Sequence, residues 1–244
     1  MIKFFRKIRQ NLLNQGETTK YFKYAIGEIV LVVIGILIAL QINNWNEEKK
    51  NLQKENIFLE GILNDITQQK KLCNNQIDYE TIKEKWSLKA IETSKSSSIE
   101  NQLDSLYKDV QSLKQRLTFA VFNPTYEELK STGALRLIKN KNLKSDIVLF
   151  YQNLEKRAEI ITNNNHNIDN IYKTYVVSNA LGFFYNNKGK IEVYWKHKPS
   201  QKLQLVNNLQ VRKNLTLSNL FRAKDVLIEA SKLELKIKEY LKND

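Results

Sequence analysis

The chain has 244 residues, with 39 Lys and Arg against 26 Asp and Glu, one Cys, two His, seven Gly and two Pro. The single Cys73 excludes an intrachain disulfide, and with only His166 and His197 beside it a structural zinc site of N and S ligands is excluded as well. So few Gly and Pro leave little turn vocabulary for a β-sandwich, a barrel or a Gly-rich phosphate loop, and the fold class is predicted as all-α.

In chain order, residues 1–23 open with MIKFFRKIRQNLL, where Phe4, Phe5, Ile8, Leu12 and Leu13 alternate with four cations. That pattern suits a basic amphipathic segment lying on an anionic cytoplasmic leaflet. Residues 24–45 then read as a membrane span, with the run AIGEIVLVVIGILIAL from Ala25 through Ile29 and Ile34 to Leu40. The stretch from Ala25 to Trp45 makes a helix about 30 Å long, the thickness of a bilayer's hydrocarbon core. Its Ile, Leu and Val residues favour insertion by about 3–7 kcal/mol, and Glu28 escapes the full central penalty because it sits one turn inside the N-terminal end. Tyr21, Tyr24 and Trp45 are placed as interfacial anchors. No pair of small residues suited to cleavage follows the run, so it is read as a retained signal-anchor rather than a signal peptide. Lys3, Arg6, Lys7, Arg9, Lys20 and Lys23 precede the span, whereas only Lys49, Lys50 and Lys54 lie in an equal stretch beyond it. This bias predicts a cytoplasmic N-terminus in a bacterial inner membrane, with residues 46–244 exterior, in the periplasm of a Gram-negative cell. Within the span, Gly35 and Ala39 form a small-xxx-small pair and Glu28 lies two turns before Gly35, so these three residues are candidates for helix packing in the membrane. Glu28 facing a partner and Glu28 snorkelling to the interface both remain open.

The runs FRKIRQNLL and YAIGEIVLVVIGILIALQINNWNE resemble the N-terminal signature of a bacterial family, domain of unknown function 6090. The stretch YEELKSTGALRLIKN, Tyr126 to Asn140, resembles that family's central block. The resemblance implies a single-pass, membrane-anchored protein and carries over no catalytic residues.

Residues 46–244 read as an exterior helical domain, an elongated antiparallel bundle. Leu52, Leu59, Ile66 and Cys73 recur at sevens, and Trp86 and Ile91 extend the amphipathic pattern until TSKSSS, Thr93 to Ser98, breaks it. Ile99, Leu103, Leu106, Val110, Leu113 and Leu117 step by four and three, predicting a helix that pairs antiparallel across the Ser-rich turn. NPTYEEL predicts a short helix capped by Asn123, or by a Thr125 and Glu128 capping box, and ended by Gly133. A long pattern runs from Leu143 to Tyr175 and weakens at NNNHN, Asn163 to Asn167. GFFYNNKGKIEVYW has the only strand character, a candidate β-hairpin near 183–195, and a last helix covers roughly Lys202 to Leu241.

For chemistry the sequence offers little. His166 with Asp169 three residues on is too small a set for a metal, so metal and cofactors are read as none. Cys73 falls on an apolar face, where packing or an intermolecular disulfide are the alternatives. The positive balance suits acidic headgroups or polyanionic glycans, while no nucleic-acid motif is present. No catalytic motif is present either, so an enzyme is not expected. Tyr126, Phe184, Tyr194 and Trp195 are candidates for an exterior binding surface, with core packing as the simpler alternative. The expected partners are the lipid bilayer and a protein partner or a second copy. The function expected is that of a membrane-anchored interaction or scaffold protein, the alternative being a sensory module that binds a small ligand and signals through a membrane partner.

Overall fold

The computed structural model describes residues 18–173, 181–185, 191–195 and 199–243, with the two strands described by their backbone. Helix α1 runs from Thr18–Lys95, followed by a 3-10 turn at Ile99–Gln102, α2 at Leu103–Lys114, α3 at Pro124–Ser131, a second 3-10 turn at Ala134–Leu137, α4 at Lys141–Ile171 and α5 at Pro199–Asn243. Between α4 and α5 stand β1, Leu181–Tyr185, and β2, Ile191–Trp195, paired antiparallel with Leu181 opposite Trp195 and Tyr185 opposite Ile191. The fold is all-α with this one hairpin among the described residues. Residues 1–17 of the basic segment placed at 1–23 lie outside them. The chain divides into two units, one ending at Asn56 and one beginning at Ile57.

The second unit is a helical bundle with two apolar clusters. The larger joins Leu59, Ile62, Ile66 and Cys73 of α1 to Tyr126 and Leu129 of α3, Ile147, Leu154 and Ile161 of α4, and Ala223, Val226, Ala230 and Ile237 of α5. The smaller joins Ala90 and Ile91 of α1 to Leu106, Val110 and Leu113 of α2, Tyr172 just past α4, and Leu205 and Leu209 of α5. The heptad spacing of Leu59, Ile66 and Cys73 thus marks the buried seam of α1, since residues seven apart fall on one helix face.

Three local expectations are corrected. The helix predicted through Leu117 stops at Lys114, where Gln115 turns extended, because buried cations take carbonyls of its last turn that a further turn would have used. Lys83 Nζ donates to Ser112 O at 2.7 Å and Arg212 Nε to Leu113 O at 2.9 Å. The capping box of α3 does not form. Asn123 stands at the N-cap without a side-chain cap bond, and the Thr125 amide and hydroxyl instead donate to the two oxygens of Asp65 on α1, at 2.9 and 3.1 Å. Finally, α4 continues through the Asn run, because Asn164 is buried and finds partners on α5. Gly133 does end the α3 segment as expected, with a left-handed φ of 68° that favours glycine.

Candidate functional site

Two regions carry the features on which a function could rest, one in each unit. In the N-terminal unit α1 holds an 18-residue window of mean hydropathy 2.6, none of it buried, so this helix is long and apolar enough to cross a membrane. Ile29 is 63% exposed, Ile34 46% and Leu40 53%, and Tyr24 and Trp45 stand exposed at the two ends. Ala25 and Glu28 are half-buried, and Gly35 and Ala39 are exposed. A Cβ added at Gly35 would meet nothing within 4 Å. The Tyr21 side chain lies outside the described residues.

In the bundle, the site is a polar layer that separates the two apolar clusters. On α1 the seam positions Gln76, Glu80, Lys83 and Ser87 are each 2% exposed or less, and on α5 Arg212, Thr216 and Asn219 are buried in the same way. From α4 comes Asn164, whose Nδ2 donates to Asn219 Oδ1 at 2.7 Å. Asn219 Nδ2 in turn donates to Glu80 Oε1 at 3.1 Å, and Gln76 Nε2 reaches the same oxygen at 2.9 Å. The Glu80 oxygen thereby joins α1 to α5, and Asn219 extends the chain of bonds to α4. Arg212 spends its guanidinium on Leu113 O, Gln115 O and the Thr216 hydroxyl. Lys83 lies over the Tyr79 and Trp86 rings, 4.9 and 4.6 Å from their centroids, with Gln115 Oε1 at 3.2 Å as a further acceptor.

Burial sets the electrostatics. It pushes the Glu80 carboxyl above the ordinary carboxylate range, against the pull of Asn219, Arg212, Gln76 and Lys83. It pushes Lys83 down to about 8, with the Arg212 charge adding to the effect, and lowers Arg212 too. The layer holds one carboxylate against two cations. Glu80 Oε2 and the Tyr79 hydroxyl are buried without a hydrogen-bond partner in the structure. Such orphaned polar atoms cost stability unless something reaches them.

Tyr126 is not at a surface. It is 4% exposed and stacked on Tyr151 with ring centroids 4.2 Å apart, so its place is the core of the larger cluster. Phe184, Tyr194 and Trp195 lie in the hairpin, and their side chains fall outside the described residues. The structure therefore does not bring the four aromatic candidates together as a described surface. Cys73 is buried with its thiol pushed up to about 11 by burial. Among the described residues no group of three or more His, Cys, Asp and Glu could hold a metal ion. His197 lies outside the described residues. The polar layer itself is missed by hydrophobic periodicity, although Gln69, Gln76 and Lys83 continue the seven-residue spacing of the Ile62 position, a signal open to a reader who allows polar residues in a seam.

Residues 28–189 match the model of the family of unknown function DUF6090, well over half of the chain. The chain belongs to that family. The match begins at Glu28 inside the apolar run of α1 and extends through α4, so it takes in both the apolar helix and the α1 and α4 contributions to the polar layer of this DUF6090 member. No curated protein and no solved structure matches the chain.

Proposed function

We propose that this DUF6090 member is a membrane-anchored interaction or scaffold protein of the bacterial inner membrane. Residues 24–45 span the bilayer as a signal-anchor, the N-terminus is cytoplasmic and the bundle of residues 46–244 faces the periplasm, where it binds another envelope protein or a second copy. The observation that carries the reading is the apolar helix whose Ile29, Ile34 and Leu40 stand exposed, since apolar surface on that scale is stable in lipid rather than in water. The excess of cations before the span supports the orientation.

The test is crosslinking of the tagged full-length chain in native membranes, followed by mass spectrometry of what co-purifies. A defined envelope partner or a self-crosslink is expected, and both are expected to weaken in the Glu28→Gln and Gly35→Ile variants if the span itself packs. Extraction of the chain by alkaline carbonate would overturn the anchoring. A labelling reagent that reaches residues 46–244 only from the cytoplasm would overturn the orientation.

A sensory reading is favoured by a different observation, the orphaned Tyr79 hydroxyl and Glu80 Oε2 inside the bundle. Small polar molecules that reached them would raise the melting temperature of the full chain by mass action.

A further inference from the structure

Between Glu128 and Asp146 the chain carries no acidic residue, while Lys130, Arg136, Lys139, Lys141 and Lys144 fall within it. Lys130 is paired with Glu127 at 3.1 Å. The other four cations lie within nine residues, at the connection from α3 to α4, with Arg136, Lys139 and Lys141 exposed and Lys144 half-buried. The start of α4 adds to the positive potential instead of offsetting it. Its first turn holds no acidic residue, and the Asn140 side chain takes the amides of Asn142 and Leu143. Acidic residues are the usual choice in a first helical turn, so placing Lys141 and Lys144 there works against the helix dipole and leaves a site that a negative surface would relieve.

The connection also belongs to a particular end of the bundle. It follows directly on α3, whose first turn is bound to Asp65 and packs so closely on Gly61 that a Cβ there would come within 2.7 Å of Thr125 Cγ2. Gly61 is near the start of the second unit, sixteen residues after Trp45 in sequence. Sixteen residues, even fully extended, reach no further than about 55 Å, so the bundle cannot leave the neighbourhood of the bilayer in which α1 is anchored.

We propose that the basic connection of residues 136–144 docks on the acidic phosphate headgroups of the bilayer in which α1 is anchored. This rests on the membrane-anchored reading above. A lipid surface fits better than a discrete phosphate ligand, because the cations are spread over an exposed loop and a helix start with no enclosing pocket, and a surface potential needs none. Each cation brought within a Debye length of such a surface strengthens docking roughly fivefold.

The full-length chain reconstituted in nanodiscs provides the test, with discs of phosphatidylcholine alone compared with discs containing phosphatidylglycerol. Amide exchange across residues 134–144 is expected to slow severalfold in the acidic discs, and the slowing is expected to vanish in high salt and in the Arg136→Gln, Lys139→Gln, Lys141→Gln triple variant. All three side chains are exposed, and an unchanged melting temperature will show that the variant folds. Equal exchange in both discs would overturn the proposal, as would slowing that survives in the variant. A photoreactive group at residue 141 that captured protein or glycan in native membranes in place of lipid would overturn it too. Failure of the chain to enter discs at all would instead count against the anchoring, so the two failures are distinguishable.

Discussion

At Gly61 the usual sign of a glycine-to-alanine change in a helix is reversed. Alanine in a helix interior is normally worth about 1 kcal/mol over glycine. Here the added Cβ would lie 2.7 Å from Thr125 Cγ2 and 2.9 Å from its Oγ1, and Thr125 cannot retreat without breaking its bonds to Asp65. Gly61→Ala is therefore expected to destabilise by about 1–3 kcal/mol in chemical denaturation, and Thr125→Ser is expected to recover part of it. A neutral or stabilising Gly61→Ala would mean that α3 shifts freely. Lys83 gives a pH dependence of definite sign. Its folded pKa, about 8, lies below the ordinary lysine value of 10.5, so from pH 8 upward the unfolded chain holds a proton that the folded chain has released. Raising the pH in that window should stabilise the bundle. The gain should fade above about pH 9, where the unfolded Cys73 thiol ionises while the folded one, pushed up to about 11 by burial, keeps its proton, and above pH 10 unfolded tyrosines ionise while Tyr79, pushed up to about 12, stays neutral. Melting temperature followed from pH 7 to 10 checks this, and Lys83→Met should abolish the rise.

Among the elements, α1 shows what could be read in advance and what could not. Its apolar seam was legible in Leu59, Ile66 and Cys73, and its end at the Ser-rich turn in the loss of pattern. Glu80, Lys83 and Gln76 look, in sequence, like any solvated helix face, because what makes them core residues is Arg212 and Asn219 more than a hundred residues away. The same holds for α2, whose stop is written in Lys83 and Arg212 and not in its own leucines. For α3, local capping signals were present but a carboxylate from α1 displaced them. Asp65→Ala, which strips two bonds from the start of α3, is accordingly expected to cost about 1–2 kcal/mol and to raise amide exchange in Pro124–Ser131 first. Asn123→Ala should be nearly silent by the same measurement, since its side chain makes no cap bond.

At the level of the whole molecule, the apolar helix long enough to cross a membrane was the most legible feature, because twelve residues in a row without a polar side chain need no tertiary context to be recognised. The division of the bundle core into two clusters was not legible, being a property of the assembled helices. Arg212→Met should be the most damaging single change in the layer, about 3–5 kcal/mol, since it leaves the Leu113 and Gln115 carbonyls without their donor and Glu80 with one buried cation fewer. A cost below about 1 kcal/mol would show that water replaces the guanidinium without penalty. The layer also bears on which motions the bundle can perform. Were its core apolar throughout, α5 could shift along α1 by one turn, about 5.4 Å, and still bury leucine against leucine. With Asn164, Asn219, Glu80 and Gln76 joined at one level, such a shift would break the whole chain of hydrogen bonds at once. A one-turn slide of α5 along α1 is thereby penalised at this level, whereas helices that part at one end of the bundle leave these bonds intact.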